Sequence, residues 1–291
     1  MQKDRIGNLI HLHFIVFIWG FTAILGKLIS IDSLPLVWYR MGLASLFILV
    51  YIFLSKFDLK ITKRTLGWFA IGGIVVALHW VTFFLAIKVS TVSVALAMMS
   101  TGAFFTALME PFWYGRKIIG YEVFFGLLVM IGLYLIFRVE SKYAYGMVIA
   151  LISAFLAAVF ALINGKLVKT HKPSIISFYE LGIGVLFLSL VLGIKGKFNS
   201  DFFVLNTMDW TYLLVLALIC TAYAFIASVK IMRVLTPYTV MLTTNLEPVY
   251  GIILAWFIFG TDEKMNPLFY VGAAIILITV IANGILKNRK I

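Results

Sequence analysis

The sequence predicts an all-α integral membrane protein with ten transmembrane helices, arranged as two inverted five-helix repeats. Of its 291 residues, 63% are hydrophobic and 12% are charged, and the mean hydropathy is +1.07. Soluble domains carry about 25% charged residues, so this chain cannot cover a water-facing surface. Two further observations predict the helices and their arrangement: long apolar windows along the whole chain, and short motifs that recur between its halves.

Each predicted span is an apolar run of about 20 residues, which is the length that crosses roughly 30 Å of hydrocarbon with all backbone hydrogen bonds made internally. Lys3 and Arg5 precede the first run, but it is longer than the core of a signal peptide and no cleavage site follows, so we interpret it as a retained span. The ten windows cover residues 10–29, 36–55, 66–87, 92–114, 118–137, 145–165, 174–194, 210–229, 237–259 and 267–286.

Lysine and arginine residues are distributed unevenly between the two sides of the membrane. With the N-terminus inside, sixteen of them fall on inside segments, seven on outside segments, and Arg40 within a span. Cytoplasmic segments carry such an excess, so both termini are predicted to be cytoplasmic. The net charge of +12 then reflects topology and attraction to anionic lipid headgroups, and we expect no nucleic-acid binding.

The halves of the chain share motifs in the same order. Because each half has five spans, an odd number, the copies at residues 1–140 and 141–291 must have opposite orientations. Inverted repeats are typical of secondary transporters, which bind their substrate near the membrane midplane between the halves. The paired motifs are Gly26-Lys27-Leu28 with Gly165-Lys166-Leu167, Trp38-Tyr39-Arg40-Met41-Gly42 with Phe178-Tyr179-Glu180-Leu181-Gly182, Lys88-Val89-Ser90-Thr91 with Arg233-Val234-Leu235-Thr236, and, in another register, Met109-Glu110-Pro111 with Leu246-Glu247-Pro248.

On these motifs the whole chain resembles the drug/metabolite transporter superfamily, in particular the ten-helix EamA-type exporters of bacteria. The resemblance implies export of amino acids, other metabolites or drugs across the bacterial cytoplasmic (inner) membrane. It rests on Trp19-Gly20 and Gly26-Lys27 in span one, Pro35 and Arg40 in span two, Pro248 in span nine, and Gly260-Thr261-Asp262-Glu263 at the end of span nine.

The first copy departs from the family pattern at the end of span four. Tyr114-Gly115-Arg116-Lys117 lacks the usual acidic residue, and Pro111 lies closer to Gly115 than Pro248 lies to Gly260. We therefore expect spans four and nine to differ in helix geometry.

Apart from Lys27 and Glu122 near the ends of spans one and five, four formal charges lie clearly within the windows: Arg40, Glu110, Glu180 and Glu247. Intramembrane charges are costly to insert, which makes them functional candidates. For Glu110 and Glu180 we expect salt bridges with nearby Lys or Arg. For Arg40, structural anchoring and substrate contact both stay open.

Glu247 lies 11 residues past Thr236, about 16 Å along a helix and so near the midplane. Burial disfavours the charged form of a carboxyl group, so Glu247 is the predicted proton-coupling residue. His79, at a similar depth, is its possible relay partner. The structural alternatives are a hydrogen bond across the turn that Pro248 disrupts and a helix-packing bond from His79.

The predicted substrate-binding residues combine polar and aromatic side chains: Trp19, Arg40, His79, Trp80, Tyr223, Asn245 and Glu247. Trp38 and Tyr250 are further candidates for an aromatic cavity wall, although any one of these aromatics could instead face lipid.

We expect a secondary transporter, an exporter that moves small metabolites such as amino acids or drug-like amphiphiles by alternating access. Its expected partners are the small-molecule substrate, membrane lipids and protons. The alternatives are a carrier of phosphate-bearing or lipid-linked solutes, held by basic residues such as Arg40 and Lys88, and a passive facilitator without ion coupling. An enzyme is disfavoured because the spans hold no aspartate pair and no nucleophile–base pair. No cofactor or metal is expected.

Overall fold

The computed structural model describes residues 2–115 and 120–289, and within these ranges the regular structure is entirely helical. Arg116, Lys117 and Lys290 of the predicted cytoplasmic charges lie outside the described residues, as do the side chains of Lys3, Arg5, Lys287 and Arg289. The α-helices are α1 Gln2–Leu28, α2 Ser33–Leu54, α3 Lys63–Val89, α4 Val92–Met99, α5 Gly102–Tyr114, α6 Gly120–Val139, α7 Ala144–Leu167, α8 Pro173–Ile194, α9 Thr207–Ala217, α10 Ala224–Ile231, α11 Pro237–Thr244, α12 Glu247–Phe259 and α13 Pro267–Arg289.

Eight helical segments of the described chain are long and apolar enough to cross a membrane. They coincide with predicted windows one to four and six to nine. Two shorter apolar helices, Phe124–Val139 and Pro267–Ala282, coincide with windows five and ten. The fold is therefore that of an all-helical, multi-pass integral membrane protein.

Local sequence signals explain where several of these helices begin. The side chain of Thr91 accepts a hydrogen bond from the backbone N–H of Val94, and Thr236 accepts one from Thr239. Such caps satisfy backbone donors that have no partner inside the helix. Proline residues open α8 and α11, where their missing N–H costs nothing.

Spans four and nine are both broken helices, and they break at the same register. Helix α4 ends at Met99 and α5 begins at Gly102, while α11 ends at Thr244 and α12 begins at Glu247. Both positions are separated by the 145 residues that also separate Thr91 from Thr236. The expected difference in geometry therefore does not lie at the breaks but after them, in the position of the proline within the second helix of each span.

Glu110-Pro111 and Glu247-Pro248 are consequently not equivalent. Pro111 lies deep within α5, whereas Pro248 is the second residue of α12, where a proline is well tolerated. In the register of the helix breaks, the first-half counterpart of Glu247 is Gly102. Only one half therefore places a carboxylate at its helix break.

Each helix of one half makes the same kind of contact with the other half as its counterpart does. Helix α1 contacts α9, α10 and α12, and the corresponding helix α7 contacts α3, α4 and α5. Helices α2 and α8 pack on each other, as do α6 and α13. In the α6–α13 pair, a Cβ added at Gly132 would lie 2.7 Å from Ile276, and one at Gly272 would lie 2.7 Å from Ile136.

Candidate functional site

A cavity lies between α1–α4, α7 and α10–α12, so both halves of the chain contribute to its wall. Its empty volume, with the open mouth included, is about 910 Å³. This figure is an upper bound on the space that the helices enclose.

Arg40 supplies the positive charge of the cavity and is held by three contacts. Its Nε donates to Oγ1 of Thr221 at 2.6 Å, and its guanidinium carbon lies 3.9 Å from the ring centroid of Trp80 and 5.5 Å from that of Phe84. These contacts hold the guanidinium group in place, and Arg40 as a whole is 2% exposed. Nη1 of Arg40 is buried and has no hydrogen-bond partner.

A change in helix winding places Thr221 in reach of Arg40. Residues Leu218–Tyr223 form a π-helical turn between α9 and α10, and Oγ1 of Thr221 donates to the carbonyl of Leu216 at 2.7 Å. With its proton used there, this oxygen accepts from Arg40. Such π turns occur frequently at functional sites.

The break between α11 and α12 supplies the other polar groups. Glu247 is the first residue of α12, where the N-terminal end of the helix dipole favours negative charge. Asn245, in the break, is buried, and its Nδ2 has no hydrogen-bond partner. Among the described residues, Arg40 and Glu247 are not an ion pair within 4 Å, although their charges attract each other.

His79 lines the same cavity from α3 and is tied to α7. Its Nδ1 lies 2.8 Å from the hydroxyl of Ser153 and 3.0 Å from the Ser153 carbonyl, and the same hydroxyl donates to the His79 carbonyl at 2.9 Å. Because a carbonyl only accepts, Nδ1 carries the hydrogen and Nε2 of the neutral ring is an acceptor.

Aromatic and aliphatic side chains form the rest of the wall. Trp80 and Phe160 both pack against Phe225, with ring centroids 5.7 and 5.3 Å apart. Nε1 of Trp19 donates to the carbonyl of Cys220 at 3.2 Å, which leaves the indole as an apolar wall. The cavity can therefore bury an apolar group beside a few fixed polar atoms.

The two ends of the bundle differ in closure. The cavity extends to Met232, beyond α10, and to Val240 in the first turn of α11. At the opposite end, Nζ of Lys27 lies 2.8 Å from Oε1 of Glu263, and Ser30 donates twice to Asp209. These bonds join the end of α1 to the start of α9 and to the turn after α12 across that end.

The structure brings six of the seven predicted substrate-binding residues to one cavity: Trp19, Arg40, His79, Trp80, Asn245 and Glu247. Tyr223 does not line it. It is 43% exposed, and its hydroxyl lies 2.8 Å from Nε2 of His11. The π turn rotates Tyr223 away from the wall, a winding change that periodicity alone does not predict.

Trp38 and Tyr250 also lie away from the cavity. Nε1 of Trp38 donates to Ser189 at 2.7 Å, and Tyr250 packs against Phe17. Conversely, sequence analysis missed Phe160 and Phe225 in the wall, because aromatic residues in an apolar span carry no signal that separates a cavity face from a lipid face.

Glu180 lies outside the cavity and differs from its expected pairing. It is fully buried, and it accepts from Nδ2 of Asn164 at 3.0 Å rather than from a lysine or arginine. A Cβ at Gly72 or Gly73 of α3 would collide with it. The missing side chains at these glycines make room for Glu180 between the helices.

Comparisons with known proteins agree with this fold. The EamA-like transporter family matches residues 9–138 and again residues 144–284. An uncharacterized transporter of Archaeoglobus fulgidus is 24% identical over 269 residues, which is 89% of this chain and 91% of the relative. A second uncharacterized transporter of that organism is 24% identical over 152 residues, 52% of each chain.

A solved crystal structure shares the fold, with a TM-score of 0.68 over 97% of this chain and 98% of the other, at 14% identity. The two family matches together span nearly the whole sequence, and the family consists of transporters rather than enzymes. The chain therefore belongs to the EamA-like transporter family.

Proposed function

We propose that this protein is a secondary transporter that exports small organic solutes carrying both an amino and a carboxylate group on an apolar body, as amino acids do. It works by alternating access, with ten spans in two inverted repeats at residues 1–140 and 141–291. It acts in the bacterial inner membrane with both termini cytoplasmic.

One observation carries the proposal: two buried donors and a carboxylate face one cavity without satisfying one another. Nη1 of Arg40 and Nδ2 of Asn245 have no partner, and Glu247 is not paired with Arg40 within 4 Å among the described residues. A buried polar group without a partner costs about 1–3 kcal/mol, and more when charged. A bound zwitterion removes this cost at both ends, its carboxylate on Arg40 and Asn245 and its ammonium on Glu247.

The apolar wall supports a solute with a hydrophobic or ring-bearing side chain. Trp80, Phe160 and Phe225 form a continuous aromatic surface beside the polar groups. Burial of apolar surface contributes about 25 cal/mol per Å². We expect strongly anionic sugars to bind poorly here.

The corresponding helix contacts of the two halves support alternating access. In a pseudo-two-fold arrangement, each half can adopt the conformation of the other, which opens the cavity to the opposite side. The closed end is the predicted outer end, and the cavity extends towards the predicted cytoplasmic end. In this conformation a cytoplasmic solute has access to the cavity, as the first step of export requires. Protonation of Glu247, with His79 alongside, is the proposed coupling step.

The alternative solutes with phosphate groups are less well supported. Arg40 is the one lysine or arginine among the described residues that line the cavity, and Lys88 donates to the carbonyl of Ile29 instead. A passive facilitator without coupling has the same cavity and is separated by experiment.

Counterflow in proteoliposomes tests the proposal. Vesicles preloaded with unlabelled apolar amino acids should take up the labelled amino acid transiently, and amines or carboxylates alone should drive less exchange. Arg138→Gln, an exposed cation outside the cavity, should behave like the unmodified protein, whereas Arg40→Gln should lose exchange. Equal exchange of sugar phosphates and amino acids would contradict the proposed substrate class.

A further inference from the structure

A second recess lies at the end of the bundle where α3 begins and α5 and α7 end. Its empty volume is about 790 Å³, and no residue in its wall is shared with the solute cavity. Arg64, Trp68, Trp113, Lys166 and His171 give it its chemistry. It is a basic and aromatic recess on the predicted cytoplasmic side.

Among the described residues, the cations of this recess have no anionic partners. Arg64 and Lys166 are both exposed, and neither forms an ion pair with a carboxylate of the described chain. Nζ of Lys166 instead lies 5.0 Å from the ring centroid of Trp113 and 5.5 Å from that of Tyr114. Glu110, three residues before Trp113, is buried, and neither it nor Asp58, six residues before Arg64, lines the recess.

The matching position in the other half shows what is missing. Lys27, in the motif that Lys166 repeats, lies 4.3 Å from the ring centroid of Phe259 and 2.8 Å from the carboxylate of Glu263. Phe259 and Tyr114 are 145 residues apart, the register of the helix breaks. At the predicted outer end, the lysine ammonium group therefore contacts both an aromatic ring and a carboxylate.

The first half has no anion at the matching sequence position, which is Ile118. The four residues after Gly115 are two cations and two isoleucines, so the sequence supplies no counterpart of Glu263. Lys166 has the contact with aromatic rings but not the contact with a carboxylate. An anion from outside the chain can fill this position.

A neutral donor in the recess also lacks a partner. Nε1 of Trp113 is buried without a hydrogen bond, although Trp113 is near the end of α5. Trp68 packs edge-on against it, with ring centroids 6.5 Å apart. An unpaired N–H on a residue that lines a basic recess suits an anionic oxygen.

The surface around the recess is apolar and exposed. Leu66 and Trp68 of α3 are 43% and 41% exposed, and Phe112 of α5 is 81% exposed. In a membrane these side chains contact acyl chains, so an anion bound here is continuous with lipid. Basic pockets between spanning helices on the cytoplasmic side bind anionic headgroups in this way.

We propose that this recess binds the phosphate of an anionic phospholipid, with Arg64 and Lys166 as its cationic contacts and Trp113 Nε1 as a hydrogen-bond donor. The lipid supplies the anion that Glu263 provides at the other end. Its acyl chains lie against Leu66, Trp68 and Phe112.

Native mass spectrometry of the purified full chain with added phosphatidylglycerol or phosphatidylcholine tests the site. The unmodified protein should bind phosphatidylglycerol more tightly, and Arg64→Gln and Lys166→Gln should each weaken that binding about fivefold. Trp113→Phe keeps an aromatic side chain but removes the indole N–H, and it should also weaken phosphatidylglycerol binding. Lys142→Gln is the matched control, because Lys142 lies 4.7 Å from the ring centroid of Tyr143, at the other end of the bundle.

Inorganic phosphate distinguishes lipid from a soluble anion. If the lipid is the ligand, excess phosphate in the buffer leaves phosphatidylglycerol bound. Displacement by phosphate alone would overturn the lipid assignment, as would equal binding of both lipids. Unchanged phosphatidylglycerol binding in Arg64→Gln and Lys166→Gln variants that elute as folded protein would overturn the site itself.

Discussion

Lys27 and Glu263 form an ion pair at 2.8 Å that joins the end of the first span to the end of the ninth. The same carboxylate accepts from the backbone N–H groups of Val92 and Ser93 at 3.0 and 2.8 Å, which caps the start of the fourth span. One side chain therefore connects three spans at the predicted outer end. We interpret this connection as the closure of that end of the cavity.

Glu263→Gln should loosen this closure, because the amide retains the size of the side chain but loses the charge and one acceptor. Cys220 is the one cysteine of the chain and is 3% exposed, which makes it a built-in reporter. Its modification by a membrane-impermeant thiol reagent added outside should become faster. Asp201→Asn, an exposed loop carboxylate, is the control, and an unchanged rate in Glu263→Gln would argue against a gate.

Glu247→Gln tests proton coupling. The amide keeps the shape of the side chain and cannot titrate, so dependence of transport on a proton gradient should disappear. Gradient-independent exchange should remain, but at a lower affinity, because the amide no longer pairs with the ammonium group of the solute. Uptake into proteoliposomes with and without an imposed pH difference measures both. Normal proton-driven uptake in the variant would make Glu247 a structural residue, and loss of affinity alone would indicate an uncoupled carrier.

Gly73→Ala should destabilise the fold by about 1–3 kcal/mol, the usual cost of overpacking. A Cβ at Gly73 would collide with the backbone oxygen of Glu180, which cannot move without shifting α8. Gly182→Ala is the matched control, since its Cβ would lie 3.6 Å from Ser45, an ordinary contact. Thermal unfolding in detergent should show a lower midpoint for the first variant only, and equal midpoints would contradict the close α3–α8 packing.

Reporter fusions test the topology. A reporter after Ile291 and one within residues 56–65 should be cytoplasmic, while one within residues 195–209 should be external. The expected result follows from the sixteen-to-seven distribution of lysine and arginine. An external C-terminus would contradict both the orientation and the ten-span count.

The spans and most of the polar site could be predicted from the sequence. Charged groups are costly to insert into a membrane, so intramembrane residues such as Arg40 and Glu247 are recognisable as candidates. It did not reveal the helix break at Ser100, which has no proline, nor the π turn that brings Thr221 to Arg40. At the break, the hydroxyls of Ser100 and Thr101 donate to carbonyls of the same span, those of Leu96 and Met98, whereas the π turn is bonded to α2 through Arg40. The position of Tyr223 outside the cavity follows from that turn.

The aromatic wall was the least predictable part. Phe160 lines the cavity and Phe155 is 44% exposed, yet both are phenylalanines in one apolar helix. Only packing against Phe225 of the other span distinguishes them. Periodicity within α7 is too weak to show which face is inward, because a membrane helix is apolar on every side.

The central claim is that the cavity binds zwitterions, and equilibrium binding of labelled phenylalanine tests it most directly. The competitors are phenethylamine, which lacks the carboxylate, and phenylpropionate, which lacks the amine. The unmodified protein should prefer phenylalanine to both. Arg40→Gln should remove the preference over phenethylamine, and Glu247→Gln the preference over phenylpropionate, by about tenfold or more in each case, because hydrogen bonds to charged groups contribute about 1.5–3 kcal/mol. If either single-charge compound binds the unmodified protein as tightly as phenylalanine, the cavity is not a site for zwitterions.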